Sequence, residues 1–152
     1  MTLHQTDTYF MKLALEQAEL AFQADEVPIG AIIVGENGLI CGKGYNCPIS
    51  LNDPTAHAEI MAIRDAAKFL KNYRLAGLTL YVTLEPCIMC FGAMVHSRIS
   101  RLVFGTPDTR SGVTRLLPFV NEMNMNHTFT IDGPTLENEC GSILTEFFRN
   151  KR

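Results

Sequence analysis

Two short patterns, far apart in the chain, constrain its fold more than any other feature. One is His57-Ala58-Glu59, and the other is Pro86-Cys87-Ile88-Met89-Cys90. A histidine and two cysteines are donors that suit zinc. To grip one ion they require a fold that carries residue 57 to residues 87 and 90. Three protein donors leave a fourth position open for water, which is the pattern of a catalytic rather than a structural zinc. Glu59 is not needed as a donor and is free to move protons.

The hydrophobic pattern indicates how the chain could achieve this. Residues 8–24 have the spacing of an amphipathic helix, with Phe10, Leu13, Ala14, Ala18, Ala21 and Phe22 on one face. Residues 29–34 form a compact apolar run, predicted as a buried strand. Glu36-Asn37-Gly38 signals a tight hairpin, and residues 39–45 form the partner strand. Gly42 and Gly44 in it suggest a bulge or a close backbone approach. Residues 46–50 leave as a loop. Asp53-Pro54 resembles a capped helix start, and that helix runs to about Leu70 with Ile60, Ile63, Ala67 and Leu70 facing the core. His57 and Glu59 then lie in its first turn.

Residues 79–84 are predicted as a third strand, 87–96 as a helix, and 101–105 as a fourth strand. A polar loop covers 105–114 and a short helix 115–121. Residues 128–131 make a fifth strand. Pro134 opens a last helix with Leu136, Cys140, Ile143, Leu144 and Phe147 on one face. Strands 3, 4 and 5 are separated by helices, so they are expected to run parallel with right-handed crossovers. The predicted fold is an α/β three-layer sandwich on a five-stranded mixed sheet, an antiparallel hairpin plus parallel strands 3–5, in a single domain over 1–152. Cys87 and Cys90 follow the carboxyl end of strand 3, and loop 105–114 follows that of strand 4. Ligands of open α/β sheets gather at that edge.

The residue types suit hydrolysis. Cys87 and Cys90 share a face in a first helical turn, where thiolates are favoured. Two thiolates and a neutral imidazole leave a zinc site without net charge. Water bound there ionises near neutral pH, its pKa lowered to about 7. Glu59 is suited to take that proton and return it to a leaving group. One point does not follow from spacing: residues two apart, such as His57 and Glu59, do not share a helix face.

Other readings of the same residues are blander. Taken alone, Cys-x-x-Cys is equally a redox pair or half of a structural zinc site, but no second Cys-x-x-Cys completes such a site here. Cys41, Cys47 and Cys140 are read as buried thiols, and His4, His96 and His127 as surface or hydrogen-bonded histidines. No apolar run is long enough to span a bilayer. The start of the chain lacks the build of a signal peptide, so a cytoplasmic protein without disulfides is expected. The net charge of −3 does not mark a nucleic-acid binder. The charge is uneven, however: residues 1–97 carry six basic and ten acidic side chains, residues 98–152 seven and six. Arg149-Asn150-Lys151-Arg152 is a small basic cluster.

His-x-Glu with Pro-Cys-x-x-Cys is the known signature of zinc nucleobase deaminases, recognised as such rather than derived from spacing. Longer segments narrow the resemblance. They include Glu26-Val27-Pro28-Ile29-Gly30-Ala31, Asn52-Asp53-Pro54-Thr55-Ala56-His57-Ala58-Glu59, Thr83-Leu84-Glu85-Pro86-Cys87, Gly92-Ala93-Met94-Val95-His96-Ser97-Arg98 and Phe147-Phe148-Arg149. Over nearly its whole length the chain resembles the bacterial tRNA-specific adenosine deaminases of the cytidine deaminase-like superfamily.

The resemblance implies conversion of the wobble adenosine of a tRNA anticodon to inosine, on a homodimer with one zinc (Zn2+) per subunit. It carries over His57, Cys87 and Cys90 as zinc ligands and Glu59 as the proton shuttle. Asn46 corresponds to a polar contact to the flipped base or its ribose. The backbone near Ala58 and Glu85 flanks the pocket, and Asp108 lies near the anticodon backbone. Phe148 and Arg149 pair a stacking ring with a cation at the RNA. An unpaired anticodon loop lowers the cost of extruding a base. One segment departs from the family: after Arg110-Ser111-Gly112, Val113-Thr114-Arg115-Leu116 stands where small residues are usual. Two rival functions are a small-molecule deaminase of the same superfamily, acting on guanine or a cytosine nucleoside, and a non-catalytic zinc or RNA-binding module. Guanine deaminases share the Asp-Pro-Thr-Ala-His-Ala-Glu stretch, whereas a non-catalytic module leaves Glu59 without a task.

Overall fold

In a computed structural model, which describes residues 2–151, alternating apolar side chains build a sheet covered on both faces. Its strands are β1 (Gly30–Val34), β2 (Ile40–Tyr45), β3 (Thr79–Leu84), β4 (Arg101–Thr106) and β5 (Thr130–Asp132), in the order β2-β1-β3-β4-β5. β1 is antiparallel to both β2 and β3, while β3, β4 and β5 run parallel. Ala31, Ile33, Leu80, Val82, Leu102 and Phe104 enter one core with the helices α3 (Ala58–Leu70) and α4 (Ile88–Ser97). Ile32, Val34, Tyr81 and Val103 enter the opposite core with α1 (Leu3–Gln23) and α6 (Glu137–Arg149). This two-step alternation is what a strand buried on both faces requires, and it yields the three-layer α/β sandwich on a mixed sheet.

The sheet direction places the functional edge. β2 and β3 are both antiparallel to β1, so the carboxyl ends of β2, β3 and β4 share one edge. Asn46, the Glu85–Cys87 segment and the loop after Thr106 all leave from it.

Gly42 and Gly44 bring α3 onto β2. A Cβ at Gly42 would stand 2.5 Å from the Ala62 carbonyl oxygen, and one at Gly44 would stand 2.5 Å from that of Ala58. The buried residues of α3 are therefore Ala58, Glu59, Ala62 and Ala66, small enough for helix backbone to lie against strand backbone. This corrects the expected core face. Ile60, Ile63 and Ala67 pack at its margin, and Leu70 is 40% exposed. The hairpin also carries a bulge between Ile33 and Val34.

Several boundaries differ for local reasons. α1 begins at Leu3 rather than 8, because the Thr2 hydroxyl accepts from Gln5 N–H and the Gln5 side chain accepts from Thr2 N–H, a reciprocal cap. The expected loop 46–50 contains the short helix α2 (Pro48–Leu51). The expected helix start at Asp53-Pro54 is a turn: the Asp53 carboxylate accepts from Thr55 N–H at 2.9 Å, and α3 starts only at Ala58. The expected helix 115–121 is α5 (Leu117–Val120) between two 3-10 turns. β5 starts at Thr130 rather than 128, and α6 starts at Glu137, not at Pro134.

A buried ion pair ties the layers together. Arg101 on β4 donates to both oxygens of Asp7 on α1, at 2.8 and 2.7 Å, and to Asp132 on β5 at 2.7 Å. The Tyr81 hydroxyl donates to the same Asp7 at 2.9 Å. Burial alone would raise the Asp7 pKa, but the hydrogen bonds from Arg101 and Tyr81 and the charge of Arg101 outweigh it and hold the carboxyl below its usual value. A depressed carboxyl stabilises the fold above its unfolded pKa, and the contribution is lost as pH falls through the folded value. Asp7→Asn is expected to cost about 2 kcal/mol at neutral pH, because Arg101 keeps Asp132 but loses its charged hydrogen bonds to Asp7. Urea denaturation of both proteins from pH 7 to pH 3 checks this. The gap should hold to the acid range and then shrink; a gap independent of pH contradicts the assignment.

Candidate active site

Two helices begin at the same place. His57 is the N-cap of α3, with φ −72° and ψ 155°. Cys87 is the N-cap of α4, with φ −79° and ψ 173°. Both are extended residues whose carbonyls accept the first helical bonds, from Met61 N–H and Phe91 N–H, each at 3.0 Å. Neither lies inside a helical turn, which corrects the expected placement of both residues and explains the spacing difficulty. His57 is outside the helix, so it is not bound by helical face geometry, while Glu59 sits in the first turn of α3.

The result is a tight cluster. His57 Nδ1 lies 3.7 Å from Cys87 Sγ and 3.6 Å from Cys90 Sγ, and the donor atoms of the three residues lie within 4.8 Å of one another. Tetrahedral zinc with Zn–S of about 2.3 Å and Zn–N of about 2.1 Å sets sulfur and nitrogen about 3.6 Å apart. The donor set and its spacing therefore fit one zinc, with a fourth position left over. Glu59 is 4% exposed, and its Oε2 accepts from the Cys90 thiol at 3.4 Å. The carboxylate thus stands beside the ion's position without completing the donor set.

The protons of the cluster are shared. The Cys90 thiol and then the His57 imidazole, both bonding to Cys87, push Cys87 down to about 4. The same thiol–thiolate contact, with burial and the nearby Glu59, pushes Cys90 up. The bond to Cys87 holds His57 above its ordinary value. Holding a divalent ion, His57, Cys87 and Cys90 would give up their remaining protons and present two thiolates and a neutral imidazole. Two helix N-termini also favour anions at this point. Burial raises Glu59 to about 6, within the range where a carboxyl both accepts and returns a proton near neutrality.

The other expected residues divide. Asn46 is buried directly after β2, its N–H bonded to the Ile29 carbonyl at 3.0 Å. Ala58 is fully buried at the start of α3. The Glu85 carboxylate faces the loop after β4, where it accepts from Asp108 N–H at 3.1 Å and Thr114 N–H at 2.8 Å. Asp108 closes a turn, its Oδ1 accepting from Arg110 N–H at 2.9 Å. Phe148 and Arg149 are exposed near the end of α6, and Arg149 shares a polar groove with Glu137 and Glu146. Lys151 is paired with Asp25 and lies 5.3 Å from the Phe147 ring centre; Arg152 lies outside the described residues. Cys41, Cys47 and Cys140 are buried thiols, His96 is exposed, and His127 bonds the Ile99 carbonyl at 2.6 Å, as expected. Sequence reasoning overlooked Glu26, which is 1% exposed and whose Oε1 accepts from Ser50 N–H at 2.6 Å in the helix following Asn46. Its place in the Glu-Val-Pro segment was the only signal.

Comparison with known proteins agrees with the cluster. Residues 4–106 match the family model for the cytidine and deoxycytidylate deaminase zinc-binding region. The tRNA-specific adenosine deaminase of Buchnera aphidicola subsp. Baizongia pistaciae is 50% identical, with 99% of this chain and 93% of that protein covered. That of Haemophilus influenzae is 47% identical over 96% of this chain and 85% of its own. A solved structure from a study of tRNA:A34 deaminases superposes with a TM-score of 0.85 at 43% identity, covering 90% of this chain and 99% of the other. Guanine deaminase from Bacillus subtilis shares the architecture at a lower TM-score of 0.65 and 30% identity, over 99% and 95% of the two chains. With this zinc cluster at this sheet edge, and with relatives of that identity along its whole length, the chain belongs to the bacterial tRNA-specific adenosine deaminases of the cytidine deaminase-like superfamily.

Proposed function

We propose that this protein hydrolyses the wobble adenosine of a tRNA anticodon to inosine. The observation that carries the proposal is the placement of the buried Glu59 carboxylate against a His57–Cys87–Cys90 donor set, in a chain of this family. In the reaction, water replaces the amino group on the ring carbon, and inosine and ammonia leave. When bound, zinc supplies the Lewis acidity that makes water a nucleophile near neutral pH. Glu59 accepts a proton of the attacking water. It returns protons to the ring nitrogen beside the attacked carbon and to the departing amine. Burial serves this role, because a carboxyl near its working pH gives up a proton as readily as it takes one.

The remaining assignments extend this proposal. Asn46 contacts the extruded base or its ribose, and the backbone at Ala58 and Glu85 borders the pocket. Asp108 shapes the loop nearest the anticodon backbone. Phe148 and Arg149 offer a ring and a cation to the RNA. The protein works as a cytoplasmic homodimer with one zinc per subunit. No helix among the described residues is long and apolar enough to cross a membrane.

Incubation with an anticodon stem-loop carrying adenosine at the wobble position, and separately with guanine and cytidine, tests the substrate. Inosine should form in the stem-loop; turnover of the free compounds alone rejects the proposal. Glu59→Ala should lower turnover by about 10²–10⁴-fold and retain zinc by elemental analysis. Loss of zinc from that variant means that Glu59 serves the metal rather than the proton.

A further inference from the structure

The loop between β4 and α5 is fastened to the segment that presents Cys87. Glu85 is 4% exposed, and no cation pairs with it among the described residues. Loop donors satisfy it instead. Oε1 accepts from Asp108 N–H at 3.1 Å, and Oε2 accepts from both the N–H and the hydroxyl of Thr114, at 2.8 and 2.5 Å. One residue on, the Pro86 carbonyl accepts from Val113 N–H at 2.9 Å. Asp108 closes the loop on itself through Arg110 N–H, Ser111 N–H and Gly112 N–H. Gly112 lies so close that a Cβ there would be 2.3 Å from Glu85 Oε2. A buried carboxylate that receives several donors is held firmly and holds them in turn.

 The outer side of this loop is a recess of about 310 Å³, lined by Arg110, Ser111, Gly112, Arg115 and Leu116. No carboxylate lines it. Arg115 reaches back to donate to the Thr109 carbonyl, and a guanidinium with five donors keeps others for a ligand. Two guanidinium groups around one recess are the chemistry that receives a phosphodiester.

We propose that Glu85 and Thr114 are positioning residues. They latch this loop so that Arg110 and Arg115 hold a backbone phosphate of the RNA beside the pocket. The proposal rests on the tRNA reading above, and it assigns a purpose to the segment that departs from the family pattern. The latch couples the phosphate site to the metal site through adjacent residues, 85 and 86 on one side and 113 and 114 on the other.

The zinc-loaded protein and the anticodon stem-loop provide the test. Thr114→Val should raise KM by about fivefold to tenfold, the effect of one lost hydrogen bond, with the loss falling on KM rather than kcat. Thr114→Ser should restore it. Arg115→Ala should flatten the plot of log Kd against log salt by about 0.7, the share of one phosphate on a single strand. In the double variant the two losses should not multiply, because the latch acts through the arginine. An unchanged salt slope in Arg115→Ala, or losses that multiply, overturns the proposal. Arg115 is exposed, so its variant reports even where Thr114→Val does not fold. Failure of the wild-type protein to deaminate the stem-loop defeats the tRNA reading itself; wild-type turnover with indifferent variants defeats only the latch.

Discussion

The site depends on two helices starting at one point. His57 and Cys87 cap α3 and α4, and each cap is extended, so each side chain is free of the helix that follows it. α4 leaves the carboxyl end of β3 almost at once. α3 comes from a distant part of the chain and reaches the same place only because it lies directly on β2. The glycines at 42 and 44 and the alanines at 58, 62 and 66 permit that approach. A larger side chain in either row would push α3 outward and carry His57 away from the two sulfurs. The metal geometry is thus set by backbone-to-backbone packing rather than by the ligands.

The same convergence governs the electrostatics. Two thiolates and a carboxylate in a buried space repel one another and resist desolvation. Two positive helix ends and a dication oppose both effects. Burial raises the Glu59 pKa, and the carboxylate stands beside the cluster because it sits one residue inside α3. Burial and placement therefore come from a single structural fact, the first turn of that helix.

Much of this was legible in the sequence. The β-branched and aromatic run Thr79 to Leu84 marked β3 to the residue, and Asn37-Gly38 marked the hairpin. His57, Glu59, Cys87 and Cys90 stood out by type and spacing. What could not be read has a common cause: it depends on contacts between distant segments. Asp53-Pro54 carries the chemistry of a helix cap, yet it makes a local turn, and the cap belongs to His57. The large apolar residues of α3 suggested the wrong face, because glycines on another element decide which face fits. Asp7 and Glu26 look like ordinary surface acids until Arg101 and Ser50 are brought to them.

Net charge sharpens the question of how such a chain holds a polyanion. At −3 it offers no general attraction, so binding must rest on a few well-placed cations. Several cations are already committed inside the protein: Arg101 to Asp7 and Asp132, Arg64 to Asp53, Lys151 to Asp25. Arg110 and Arg115 form no such ion pair among the described residues, and they sit on a loop whose other side is bonded to the residues next to Cys87. A phosphate held there would be fixed relative to the zinc position by a short, rigid path. In a protein that must act on one base of a loop, a few cations at a set distance from the metal serve better than a broad positive field, because they define which base reaches the pocket.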